Sequence, residues 1–79
     1  MKETKKYTII LQPEADPEFK GYYNALVPAL PGCFSYGANR KEALSNIREA
    51  IELYIEDLLD AGESIPEDQT EQVQLEVTA

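Results

Sequence analysis

Fifteen acidic residues against seven basic ones in a chain of 79 leave a net charge of -8, with no histidine and a single cysteine. That balance argues against direct binding to DNA or RNA, whose affinity comes mainly from Lys and Arg neutralising phosphates, and it removes the commonest general base. A domain this short buries only a modest share of its surface, so subunit pairing is expected, as a homodimer or higher oligomer.

Met1 is followed by charged residues, and Lys2, Lys5 and Lys6 form a small cluster that reads as a solubilising start rather than a binding arm. Residues 7–11, Tyr-Thr-Ile-Ile-Leu, are β-branched and aromatic and predict a first strand. The run is far too short for a signal-peptide core or a membrane span, so a cytoplasmic protein with no membrane partner is expected. Residues 12–20 hold Pro13, Pro17, Glu14, Asp16 and Glu18, the composition of a solvated hairpin connection. Residues 21–27 predict a second strand, with Tyr22, Asn24 and Leu26 on one face and Tyr23, Ala25 and Val27 on the other. Pro28 ends it. The stretch 28–32, Pro-Ala-Leu-Pro-Gly, is a rigid turn, and residues 33–36, Cys-Phe-Ser-Tyr, predict a short third strand before Gly37. Cys33 has no neighbouring Lys, Arg or His to activate it and is expected to be a small core residue.

Residues 39–62 predict the helix around which the chain is organised. Ala43, Leu44, Ile47, Ala50, Ile51, Tyr54, Ile55, Leu58 and Leu59 recur at three- and four-residue spacing and gather into one stripe. Asn39 is a good N-cap, Glu42 follows three residues on as in a capping box, and Gly62 with Pro66 supplies the stop. After a polar stretch, residues 73–77, Val-Gln-Leu-Glu-Val, alternate apolar with polar and predict a fourth, half-buried strand. The expected fold is therefore α+β, in the order β-β-β-α-β. Three strands form an antiparallel meander, and the helix carries the chain back so that the last strand lies parallel to the first. One helix covers one face of a four-stranded sheet. The other face, carrying Tyr22 and Leu26 or, in the reverse register, Tyr23 and Val27, stays partly open for another chain.

The stretch from Gly21-Tyr22-Tyr23 through Val27-Pro28-Ala29-Leu30-Pro31-Gly32-Cys33 to Gly37, with Lys41-Glu42-Ala43-Leu44, Glu49-Ala50-Ile51 and Gly62-Glu63-Ser64-Ile65-Pro66, resembles the HicB family of antitoxins over nearly the whole chain. The resemblance implies a partial ribonuclease H-like fold and a partner, HicA, a small basic toxin that cleaves mRNA. It also implies, in full-length members, a further DNA-binding domain. The expectation here is a single HicB-like domain over residues 1–79 with no such domain after it.

Catalysis is not expected. Metal-dependent members of the ribonuclease H-like fold hold ions with strand carboxylates, but residues 7–11 carry none, and Asp16 and Glu18 fall in the hairpin connection. Ser35, Ser45 and Ser64 lack an evident base, so no enzyme activity, cofactor or metal is expected. The acids carry the sharper expectation. Glu42, Glu49, Glu56 and Glu63 recur every seven residues, with Glu52, Asp57 and Asp60 close by, against the single cation Arg48. Acids at a helix C-terminus oppose the macrodipole by roughly 0.3–1 kcal/mol each, and like charges four apart add a few tenths more. Solubility alone can account for such a face. The functional expectation is a partner-binding surface of Glu49, Glu52, Glu56, Asp60 and Glu63, with Pro31 and Gly32 of the turn, that docks a basic RNA-cleaving protein. The alternative is an orphan dimeric scaffold or regulatory module that binds another protein or ligand without catalysis.

Overall fold

The computed structural model describes residues 4–78. Three strands, β1 (Ile10–Pro13), β2 (Tyr23–Leu26) and β3 (Phe34–Gly37), form an antiparallel sheet in the order β1-β2-β3, and one helix, α1 (Arg40–Asp60), follows. Ile10 pairs with Leu26 and Leu26 with Phe34, while Gln12 pairs with Asn24 and Asn24 with Tyr36.

Local chemistry explains the links. Between β1 and β2 the Asp16 carboxylate accepts the Glu18 amide at 3.0 Å and starts one turn of 3-10 helix over Pro17–Phe19. The Phe19 ring then stands edge-on to Tyr22, with centroids 5.6 Å apart. In the second link the Leu30 amide donates to the Val27 carbonyl at 3.0 Å and the Cys33 amide to the Leu30 carbonyl at 2.9 Å. These two bonds drive Leu30 inward, where it is fully buried with Ala25, Val27, Cys33 and Ile47. The predicted rigid turn is thus also the floor of the core.

The helix ends follow from the sequence. The Asn39 side chain accepts the Glu42 amide at 2.8 Å, and the Glu42 carboxylate reaches back to the Ala38 amide at 3.0 Å. At the other end the Gly62 amide donates to Leu59 and the Glu63 amide to Leu58, a Schellman motif made possible by Gly62 at φ +71°. Gly37 sets how closely the helix sits on β3. A Cβ there would lie 2.3 Å from the Ala43 nitrogen. The helix covers the face that carries Ala25 and Val27, both buried, which decides between the two registers left open by the tyrosines.

Several expectations need correction. β1 begins at Ile10, three residues later than predicted, because its ladder with β2 starts only at the Ile10–Leu26 pair. β2 is shorter than predicted, β3 is shifted by one residue to take in Gly37, and Gln12 and Pro13 belong to β1 rather than to the connection. Leu59, placed in the buried stripe, is 60% exposed. The largest difference concerns the fourth strand. Among the described residues the sheet has three strands only, and Val73, Leu75 and Val77 are 71%, 82% and 83% exposed. Alternation makes residues 73–77 competent to be a strand, but a strand needs a backbone partner, and none lies beside them.

Candidate partner-binding surface

At about 100° per residue, Glu42, Glu49, Glu52, Glu56 and Asp60 fall within an arc of about 80° on α1. All five are exposed. From Glu49 to Asp60 the stripe runs about 16 Å along the axis at 1.5 Å per residue. The last turn of the helix contains no basic residue, so the acids and the negative end of the dipole reinforce one another there. The result is a concentrated negative ridge.

Two leucines border this ridge on opposite sides. Leu53 is 61% exposed, and Leu59 also faces solvent. Sequence reasoning left Leu53 unmentioned and took Leu59 for core. The signal was present, because Leu53 stands four residues after Glu49 and three before Glu56, which places it among the acids rather than on the apolar stripe. Charge that steers, with apolar side chains beside it that can be buried, is the usual composition of a protein-binding patch.

The other expected site residues are placed less uniformly. Glu63 lies beyond the helix end, exposed, with its amide used by the Schellman motif. Pro31 and Gly32 are exposed at the tip of the second link. The Tyr54 hydroxyl donates to the Pro31 carbonyl at 2.9 Å and ties the turn to the helix. Tyr54 leaves the axis about 140° round from Glu49, so the turn docks on a different flank from the acids.

A second exposed surface is the open face of the sheet. Ile10, Leu26 and Phe34 make one continuous apolar row across the three strands, and Tyr36 stands in the next row beside Asn24. Phe34 is the most exposed of these residues.

Asp68, which sequence reasoning passed over, organises the approach of the C-terminal segment to the N-terminal one. One of its carboxylate oxygens accepts both the Thr8 amide and the Thr8 hydroxyl at 2.7 Å, and the other accepts the Thr70 amide at 3.1 Å. These donors, the Thr8 side chain foremost, lower its pKa to about 2. The Tyr7 hydroxyl donates to the Pro66 carbonyl at 2.6 Å and completes the clasp. Partners 59 and 60 residues apart leave no local signature in a sequence. Cys33 is buried, and burial pushes its thiol pKa upward, as suits a core residue. Among the described residues no three His, Cys, Asp or Glu side chains are placed to hold a metal, and no helix is long and apolar enough to cross a membrane.

An acid-ridged helix on a small antiparallel sheet, with exposed apolar residues beside the ridge and across the open sheet face, makes up an α+β domain. Residues 7–77 match the family described as HicB_like antitoxin of bacterial toxin-antitoxin system. The chain belongs to this HicB-like antitoxin family. It is similar to a UPF0150 protein of Thermoplasma acidophilum, 52% identical over 68 residues, which span 86% of this chain and 93% of the relative. A UPF0150 protein of Synechocystis is 43% identical over 67 residues, 85% of this chain and 80% of the relative. A 14.9 kDa protein of Haemophilus phage HP1 is 46% identical over 44 residues, 56% of this chain but only 33% of that protein. No solved structure matches the chain with significance.

Proposed function

We propose that this chain is the antitoxin of a HicA/HicB-like type II toxin-antitoxin pair, acting in the cytoplasm and neutralising a small basic mRNA-cleaving toxin by binding it. The observation that carries this reading is the exposed stripe Glu49, Glu52, Glu56 and Asp60, bordered by Leu53 and Leu59. Those acids oppose the helix dipole and repel one another, so they cost the isolated helix stability and gain their use in a complex. A toxin that grips RNA presents positive charge. An acidic ridge competes for that charge and speeds encounter, and the leucines supply contacts that hold once docked. No bond is made or broken by this chain.

Co-expression with a small basic protein encoded beside it tests the proposal. The expected result is a stable complex on size exclusion and relief of the growth arrest that the basic protein causes alone. Replacing Glu52, Glu56 and Asp60 with Lys is expected to slow association by about tenfold to a hundredfold at low salt, with the fold retained. Unchanged association would remove the helix from the interface. The open sheet face with Ile10, Leu26 and Phe34 favours a second reading, an orphan scaffold that docks another protein there. A chain with no basic reading frame beside it, whose binding survives the charge reversals but not Phe34→Asp, would support that reading instead.

A further inference from the structure

β3 is an outer strand, paired with β2 on one side and with nothing on the other among the described residues. The Val27 amide donates to the Cys33 carbonyl at 3.1 Å, and Ala25 stands opposite Ser35. Cys33, Ser35 and Gly37, in one phase, therefore turn their backbone groups toward β2, and Phe34 and Tyr36 turn theirs outward. One outward group is taken, since the Asn46 side-chain amide of α1 donates to the Tyr36 carbonyl at 2.8 Å. The Phe34 amide and carbonyl and the Tyr36 amide have no partner among the described residues. Outer strands are commonly guarded by a proline, a charge or a bulge. The Phe-Ser-Tyr-Gly of β3 has none of these, and its register with β2 is unbroken.

Two different surfaces flank this edge. On the open face Phe34 and Tyr36, two residues apart and so on the same side, are 72% and 62% exposed. On the other face α1 runs antiparallel to β3, since Ala43 packs at Gly37, Asn46 bonds Tyr36 and Tyr54 bonds the Pro31 carbonyl that precedes the strand. Asn46 marks the flank of the helix that overhangs the edge, and Glu42, Glu49 and Leu53 leave the axis within about 60° of it. All three are exposed. The cations of the helix, Arg40, Lys41 and Arg48, leave at least about 120° away, so this flank is acidic and apolar with no positive charge of its own.

We propose that the outer edge of β3 takes an extended segment of a basic partner protein, in which apolar residues alternate with Lys or Arg. Unpaired main-chain donors and acceptors at strand spacing are matched by another strand, and the Phe34 amide and carbonyl with the Tyr36 amide supply three bonds to it. The apolar side chains of the segment cover Phe34 and Tyr36 on the open face. Its cations fall on the helix side and meet Glu42 and Glu49 beside Leu53. A segment with acids in those places meets the same carboxylates and is rejected. The proposal rests on the reading that the acidic side of α1 meets a basic protein, and it adds what charge alone does not supply, a fixed register for the partner.

The probe is a synthetic peptide of about eight residues alternating Lys and Val, long enough for a strand of ordinary length, titrated into the full chain while its amide chemical shifts are followed. Shifts are expected at Phe34, Ser35 and Tyr36, and a Glu-Val peptide of the same length is expected to bind at least about tenfold more weakly. With the two faces of the peptide fixed, every amide aimed at β3 belongs to one residue type, so N-methylation of either the Lys or the Val amides is expected to abolish binding and methylation of the other set to spare it. Tyr36→Pro removes an outward amide and none of the bonds to β2, and is expected to bind about fivefold to tenfold more weakly than Tyr36→Ala, with helical circular dichroism unchanged. No shift at those residues with peptide up to about 1 mM overturns the proposal, as do two methylated peptides that behave alike. A co-expressed basic protein whose complex is indifferent to Tyr36→Pro overturns the edge and leaves the toxin reading standing. Peptide binding at the edge without any toxin complex does the reverse.

Discussion

Gly37→Ala tests how the helix is seated on the sheet. A Cβ at this position would stand 2.3 Å from the Ala43 nitrogen, 2.7 Å from the Glu42 carbonyl carbon and 2.8 Å from the Ala43 Cα. All three are backbone atoms of the first helical turn, so no side chain can rotate away. Relief requires the start of α1 to lift by roughly 1 Å before carbon contacts become ordinary, and Ala43 and Ile47, both buried, lift with it. Overpacking a filled site costs about 1–3 kcal/mol, and a collision with backbone on every side belongs at the upper end, about 3 kcal/mol. A domain of this length has roughly 4–12 kcal/mol in all, so the change removes a quarter or more of its stability. The assay is urea unfolding followed by far-ultraviolet circular dichroism at one fixed protein concentration. An m-value of about 1 kcal/mol/M turns the loss into a midpoint lower by about 3 M. Gly32→Ala is the control. Gly32 has φ +81° and nothing within 4 Å of its would-be Cβ, so its substitution costs only the left-handed backbone penalty of about 1–2 kcal/mol. A Gly37→Ala loss below about 1 kcal/mol, or one no larger than the Gly32 loss, would refute the close-approach reasoning.

Asp68→Asn is expected to loosen the clasp and speed amide exchange at Thr8 and Thr70. Because the folded pKa is depressed to about 2 from the ordinary 3.8, the carboxylate's contribution is fully present above the ordinary value and is lost as pH falls through about 2. Protection of the Thr8 amide, its exchange rate measured against an unfolded chain at the same pH, is therefore expected to fall from about pH 4 downward in the parent chain, and the variant to lack that step. Cys33, buried with a raised pKa, is expected to react with a thiol reagent at neutral pH at least a hundredfold slower in the folded chain than in urea; equal rates would place it at the surface. Leu53→Ala and Leu59→Ala are expected to leave the unfolding free energy within about 0.5 kcal/mol of the parent, as exposed positions do, while weakening binding to the proposed toxin by roughly tenfold. Titration calorimetry checks the binding, and unchanged affinity would reduce the two leucines to surface residues.

Interactions between near neighbours in the chain were legible in the sequence. Asn39, Glu42 and Gly62 bound the helix because capping is a matter of three or four residues, and the stripe through Ala43, Ile47 and Ile51 follows from a fixed 3.6-residue period. The alternation in β2 separated Ala25 and Val27 from Asn24 and Leu26 for the same kind of reason, a period of two. Tertiary structure alone decided which of those faces the helix covers, because that depends on how closely Gly37 lets the helix backbone approach β3. It decided that Leu30 leaves its turn for the core, and that Asp68 reaches Thr8 across sixty residues. It also left residues 73–77 without a partner. Side-chain pattern prescribes which way a strand would face, whereas pairing requires another backbone at hydrogen-bonding distance, and only the folded arrangement supplies or withholds one.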